Sequence, residues 1–252
     1  MSNHRSKGFT LVEMAIVLLI MGLLLAGGLT VLTTQIEQQR INDTQRQMEQ
    51  AREALLGFAL TAGRFPCPAP ATAITGTALA GLEPAPVLAA GCANEAGVLP
   101  WATLGLPETD PWGRRITYRV RRQFTRTIPQ AGGFLGADCP PPLPPTQAVF
   151  ALCSQGNMTI LDAGGGATLS ANTPMVLVSH GPNGAGAYLP QGNQAPVGAS
   201  VDELDNQLTA GGTNTANLQF VSRTRAANFD DLVVWLPTPI LMNRMVQAGR
   251  LP

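Results

Sequence analysis

Five groups of residues in this 252-residue chain have types and spacings that could carry chemistry. Glu13 is the only charge between Phe9 and Thr34, in an otherwise apolar run. A charge near the middle of a membrane segment costs roughly 2.5–3.5 kcal/mol on insertion scales, so this carboxylate requires a partner or a purpose. Cys67, Cys92, Cys139 and Cys153 form no Cys-x-x-Cys pair, and their chemistry is disulfide formation in an oxidising compartment rather than metal binding. Ser179-His180 sets a hydroxyl beside a base, but neighbours on a strand point to opposite faces. No Gly-x-Ser-x-Gly elbow surrounds the serine and no third triad member is identifiable, so the pair is not read as catalytic. Six arginines lie from Arg114 to Arg126 with no acid between Asp110 and Asp138. They form either a basic face for DNA, anionic lipid or an acidic partner, or a solvated strand face in which Arg stems cover apolar surface. Without interleaved aromatic residues the second reading is favoured. Asp202, Glu203, Asp205 and the Asp230-Asp231 pair, finally, are scattered carboxylates without the spacing of a cation loop.

The elements that must position these groups begin with a helix. Residues Met14 to Thr34 carry no charge, a run long enough to span a hydrocarbon core and longer than a secretory h-region. Arg5 and Lys7 precede it, which keeps the amino terminus cytoplasmic and everything after the helix outside. The alternative is a signal peptide cut near Ala26-Gly27-Gly28, but Glu13 would then open the h-region and the helix does not stop at the cut. Past Thr34, Ile36, Ile41, Thr44, Met48, Ala51, Leu55 and Ala59 recur mostly at spacings of three or four, with charges largely between them. That pattern predicts an amphipathic continuation, ended by Gly63 and Pro66. Such a helix is on the order of 80 Å long at 1.5 Å per residue.

The series leader-Gly8-Phe9-Thr10-Leu11-Val12-Glu13 followed by an apolar helix resembles the amino terminus of type IV prepilins and of type II secretion pseudopilins. The resemblance implies cleavage after Gly8 by a prepilin peptidase and N-methylation of the new amine on Phe9. It also implies pairing of Glu13 with the Phe9 amine of a neighbouring subunit, and assembly through an inner-membrane platform. The chain then divides into a leader (1–8), a transmembrane half-helix (9–34), an amphipathic half-helix (35–63) and a periplasmic globular domain (64–252). The sequence departs from many pilins in having no proline in the apolar half, where Gly22, Gly27 and Gly28 either soften the helix or permit close packing.

The exported part is rich in Gly and Pro and low in charge, a composition of short elements and long loops. Residues 64–97 read as a loop that a Cys67–Cys92 disulfide would close, worth about 3 kcal/mol in the chain-entropy model. Cys139 and Cys153 would join the base of the Pro-rich stretch Cys139–Pro145, although four cysteines also allow two other pairings. Asp110-Pro111-Trp112-Gly113 is a turn, and Ile116, Tyr118 and Val120 alternate with polar residues as in a half-buried strand. Strands are also expected at Ala148–Cys153, Met175–Ser179 and Phe229–Leu236, and a helix at Met242–Arg250.

The turn entering a Tyr-containing strand resembles the start of the sheet in major pseudopilins. The strand, Gly-rich loop, acids and terminal Trp235 strand resemble their carboxy-terminal layout, which implies calcium in that loop. Calcium would need six to eight oxygens, and a solvated acidic loop with no cofactor is the favoured reading. The expected fold class is α+β, a long amino-terminal helix packed on a mostly antiparallel sheet with Pro/Gly-rich loops. The expected function is that of a structural filament subunit and not an enzyme, with other pilin or pseudopilin subunits as partners. The alternative is a minor pilin that binds a ligand in adhesion or DNA uptake. Net charge points to no nucleic-acid partner, since 14 basic residues face 16 acidic ones once the leader is removed.

Overall fold

No proline interrupts the chain before Pro66, so nothing stops one helix from running through both the apolar and the amphipathic segment. A computed structural model describes residues 8–85, 90–127, 147–209, 211–212 and 218–251, excepting the side chains of residues 24–33. In it a single helix, α1, runs Leu11–Ala62. Gly63 ends it in a left-handed conformation (φ 68°), its N–H bonded to the Ala59 carbonyl at 2.8 Å. This is the glycine stop expected after the last turn, because only glycine enters that conformation without a Cβ penalty.

The chain forms two compact units, Met1–Asn42 and Asp43–Pro252. In the first, the apolar residues of α1 up to Leu23 are exposed, including Leu11 and Leu18, and so is Ile36, which the periodicity places on the buried stripe; Ile41 is buried. Among the described residues no helix is long and apolar enough to cross a membrane, and the Met14–Thr34 run includes residues 24–33, whose side chains lie outside them. The expected span therefore rests on sequence.

The second unit holds the rest of α1 and, in chain order, β1 (Ala96–Val98), α2 (Trp101–Leu104), β2 (Thr117–Val120), β3 (Met158–Leu161), β4 (Thr168–Thr173), β5 (Met175–Ser179), α3 (Val201–Asn206), β6 (Gln219–Val221), β7 (Leu232–Leu236) and α4 (Thr238–Gln247). Four strands form an antiparallel sheet in the order β1-β2-β5-β7, with Tyr118 opposite Leu177 and Leu177 opposite Val234. A second sheet, β4-β3-β6, pairs β3 with β6 in parallel. Alternation along β5 splits its side chains between two faces. Val176 and Val178 pack with Met158, Ile160 and Phe220 of the second sheet, and Val233 and Trp235 border that cluster. Met175 and Leu177 are equally buried on the opposite face, and the α1 residues Thr44, Met48, Ala51, Leu55 and Ala59 are buried as well. The α+β architecture is thus as expected, but the four-stranded sheet is covered on both sides. For that reason β2 is buried at all four positions rather than half-buried.

Two further expectations change. Ala148–Cys153 is not a strand, although Ala148, Val149 and Phe150 are buried. The apolar run instead serves an aromatic cluster, with the Phe150 ring 4.9 Å from Phe124, and a local turn between Ala151 and Ser154 satisfies its backbone. The arginine stretch is not a solvated face. Arg115 is fully buried, Arg119 is buried against Glu95 at 3.3 Å, and only part of the set reaches solvent.

Residues 64–85 and 90–95 form the irregular, tethered loop expected. Cys67 and Cys92 are joined, with Cα atoms 5.4 Å apart. Arg64 grips the Glu83 carboxylate with both ends of its fork, and the same carboxylate accepts the Cys67 N–H at 2.7 Å. Cys153 is also in a disulfide, while Cys139 lies outside the described residues.

Candidate functional site

At the amino terminus, Gly8, Phe9 and Thr10 precede the helix and are exposed, Phe9 at 82%. A Cβ built on Gly8 meets nothing within 4 Å, so the fold itself makes no demand for glycine there. One residue on, the chain enters α1 through a reciprocal cap. The Thr10 hydroxyl accepts the Glu13 N–H at 3.2 Å, and one Glu13 carboxylate oxygen accepts the Thr10 N–H at 3.0 Å and the Thr10 hydroxyl at 3.1 Å. This is a Thr-x-x-Glu capping box, which satisfies two donors that a helix start leaves open. The signal was present in the spacing of Thr10 and Glu13 but was obscured by reading Glu13 only as a charge in an apolar run.

The same geometry bears on the chemistry of a free amine at Phe9. An ammonium next to a helix amino terminus lies at the positive end of the dipole, and a carboxylate one turn along offsets it. Glu13 is thus placed to complement positive charge at this end of the helix, whether that charge belongs to its own chain or to another. Residues 3–29 match the prokaryotic N-terminal methylation motif. Over that segment the chain is similar to type IV prepilin-like proteins. The motif covers the basic leader, Gly8, Phe9, Glu13 and most of the apolar run, and it ends well before the globular domain. No curated protein and no solved structure matches the chain.

Downstream of the methylation motif, the second polar constellation forms where the turn before β2 meets the end of β5. Asp110 accepts the N–H groups of Trp112 and Arg114, each at 3.0 Å, and the Ser179 hydroxyl at 2.7 Å. His180, fully buried, bonds Thr117 through Nε2 at 2.9 Å. Ser179 and His180 therefore engage different partners and neither reaches solvent, in keeping with the reading that they are not catalytic. The arrangement joins two turns that are distant in sequence.

Close by, Glu203, Asp230 and Asp231 each bring one carboxylate oxygen within 4.8 Å of the others. Of the acids considered as calcium ligands from sequence, Asp202 is turned away, paired with Arg223 at 2.7 Å and accepting the Gly164 N–H. Asp205 is not part of the cluster, and Glu203, Asp230 and Asp231 do not complete a calcium shell. Glu203 already accepts from Asn183 Nδ2 and the Asp230 N–H, Asp230 from the Asn183 N–H, and Asp231 from Asn206 Nδ2. The turn oxygens are also engaged, the Gly181 carbonyl by Arg114 and the His180 carbonyl by the Gly184 N–H. Three carboxylate oxygens are half of the minimum of six that calcium takes. The open oxygen of Asp231 faces an imidazole nitrogen at 3.7 Å, a group calcium does not prefer. Among the described residues, these groups do not fit the calcium site that the family resemblance implies.

Proposed function

We propose that this protein is a structural subunit of a type IV pilus-like or type II secretion pseudopilus filament. In this reading a prepilin peptidase cuts after Gly8, the helix from Phe9 to Thr34 is retained in the bacterial inner membrane, and the globular domain lies in the periplasm. Neighbouring pilin or pseudopilin subunits and an inner-membrane assembly platform are the partners, and the protein turns over no substrate. The observation that carries the reading is the methylation motif on a helix whose apolar half has its one carboxylate at the amino-terminal turn. The buried state of Arg115 and Arg119 weighs against a basic DNA-binding face and so against the ligand-binding alternative.

Two measurements test it. Isolated filaments should contain this chain, and copy number separates a major subunit from one confined to a tip. Processing should depend on the size of residue 8, since the surrounding fold tolerates a side chain there. Gly8→Ala is expected to slow removal of the leader mildly, and Gly8→Leu to abolish it, as read from the mass of the accumulated protein. Full processing of Gly8→Leu would remove the peptidase from the scheme.

A further inference from the structure

His180 Nδ1 and Asp231 Oδ1 face each other at 3.7 Å, both side chains are fully buried, and neither atom has a hydrogen-bond partner. Two orphaned polar atoms in one dry pocket are costly unless something joins them. The rest of each side chain is anchored, His180 through Thr117 on β2 and Asp231 through the Asn206 amide on α3. Both residues are therefore fixed in place. Asn206 also accepts the Val221 N–H of β6 and donates to the Val221 carbonyl, so the pair sits where β2, β5, α3, β6 and β7 converge.

We propose that the folded domain holds one proton between His180 and Asp231, as a structural part of this junction and in place of a metal ion, so that its stability depends on pH. The charged groups around the pair are Glu203 on α3, Asp230 beside Asp231, and Arg114 in the turn before β2; Arg225 acts on Asp230. Two neighbouring carboxylates oppose a further negative charge on Asp231, and Arg114 opposes a positive charge on His180. Burial, the largest cause, pushes Asp231 well above the usual carboxylate range. Burial also brings the imidazole of His180 down to about 4. A neutral carboxyl and a neutral imidazole share a single proton, and the count is the same if that proton resides on the ring.

The pH dependence follows from that count. In the unfolded chain His180 titrates at its ordinary value of 6.5 and Asp231 at 3.8. Between those values the unfolded chain also binds one proton, on the histidine, so the pair makes no pH dependence. Above 6.5 the unfolded chain binds none while the folded one keeps its proton, and stability falls as pH rises. Below about 4 the folded chain takes a second proton on His180 as the unfolded chain takes one on Asp231, so the pair adds no dependence on the acid side. Taken singly, the raised Asp231 pKa destabilises the fold as pH rises above 3.8 and the lowered His180 pKa destabilises it as pH falls below 6.5; between about 4 and 6.5 the two cancel.

The test is urea unfolding of the full chain in detergent micelles, followed by the fluorescence of Trp101, Trp112 and Trp235, all of which lie in the Asp43–Pro252 unit. Asp231→Asn supplies a neutral group that needs no proton. The folding constant of wild type relative to Asp231→Asn should fall about tenfold per pH unit from pH 5 to pH 7. His180→Gln, which cannot titrate, gives the opposite sign: wild type gains about tenfold per unit from pH 4.5 to pH 6 and nothing above 7. If one variant fails to fold, the other alone decides. Ratios that do not change with pH would overturn the proposal. So would calcium chloride that raises the wild-type urea midpoint and removes its alkaline slope, an effect that a chelator reverses.

Discussion

Arg115→Ala is expected to lower the stability of the globular domain by about 3–5 kcal/mol, the range for removing one partner of a buried ion pair. Its side chain is wholly buried. The guanidinium donates to Glu108 through Nε at 3.0 Å and Nη2 at 2.8 Å, and to the carbonyls of Ala71, Ala73 and Pro190. It also lies 4.7 Å from the centre of the Trp101 ring. The same ring abuts Gly81, where a Cβ would fall 2.2 Å from it. Alanine would leave the Ala71 and Ala73 carbonyls without this donor, and the Glu108 carboxylate and the Pro190 carbonyl with only Thr75. Lysine keeps the charge but has neither the planar fork nor the stacking face, so Arg115→Lys should recover less than half of the loss. Urea unfolding monitored by tryptophan fluorescence measures both. A loss below about 1 kcal/mol for alanine, the scale of an ordinary surface pair, would show that these contacts do not support the loop–sheet junction.

The second large effect belongs to Glu13. Glu13→Ala should leave insertion and leader cleavage intact while reducing incorporation into filaments on the order of a hundredfold. That is the magnitude expected when a charge pair worth about 3 kcal/mol is lost from apolar surroundings. The capping box complicates the simple version of this experiment, because alanine also removes the helix cap. Two companion variants separate the roles. Glu13→Gln retains an oxygen for the Thr10 N–H but no charge, and should be as defective as alanine. Thr10→Ala removes the hydroxyl of the cap, a loss of about 1 kcal/mol, but keeps the carboxylate, and should assemble nearly normally. Co-purification with filaments, normalised to processed protein in the membrane, is the measurement. Normal assembly of Glu13→Gln would mean that the cap, not the charge, is what the filament requires.

Much of the molecule that serves assembly is written locally, and that part was legible in the sequence. Gly8, Phe9 and Glu13 lie within six residues, α1 is announced by uninterrupted periodicity and stopped by Gly63, and Asp110 closes its own turn. Strands β5 and β7 are short apolar runs bounded by turns and were equally readable. The second sheet was not. Strands β3 and β6 have four and three residues, too few to establish a period, and their parallel pairing joins Ile160 to Phe220 across a long intervening segment. Arg115 illustrates the limit most clearly. It stands beside Arg114 with nothing to distinguish it, and its burial is decided by groups spread from Ala71 to Pro190. The His180–Asp231 pair escaped notice for a related reason: the two residues are 51 positions apart and meet only after the sheet has formed.

Arg250 brings the end of the chain back to the end of its first helix. The last turn of α1 contains no basic residue, yet Arg250 donates to the Leu60 carbonyl at 2.6 Å and to the Thr61 carbonyl at 2.8 Å. These are carbonyls that a helix carboxy terminus leaves without partners. The group that caps the first element of the domain therefore lies 189 positions beyond Thr61. A chain delivered amino terminus first cannot make these bonds until Arg250 has emerged, so the last turn of α1 is capped only after the strands of both sheets have been delivered.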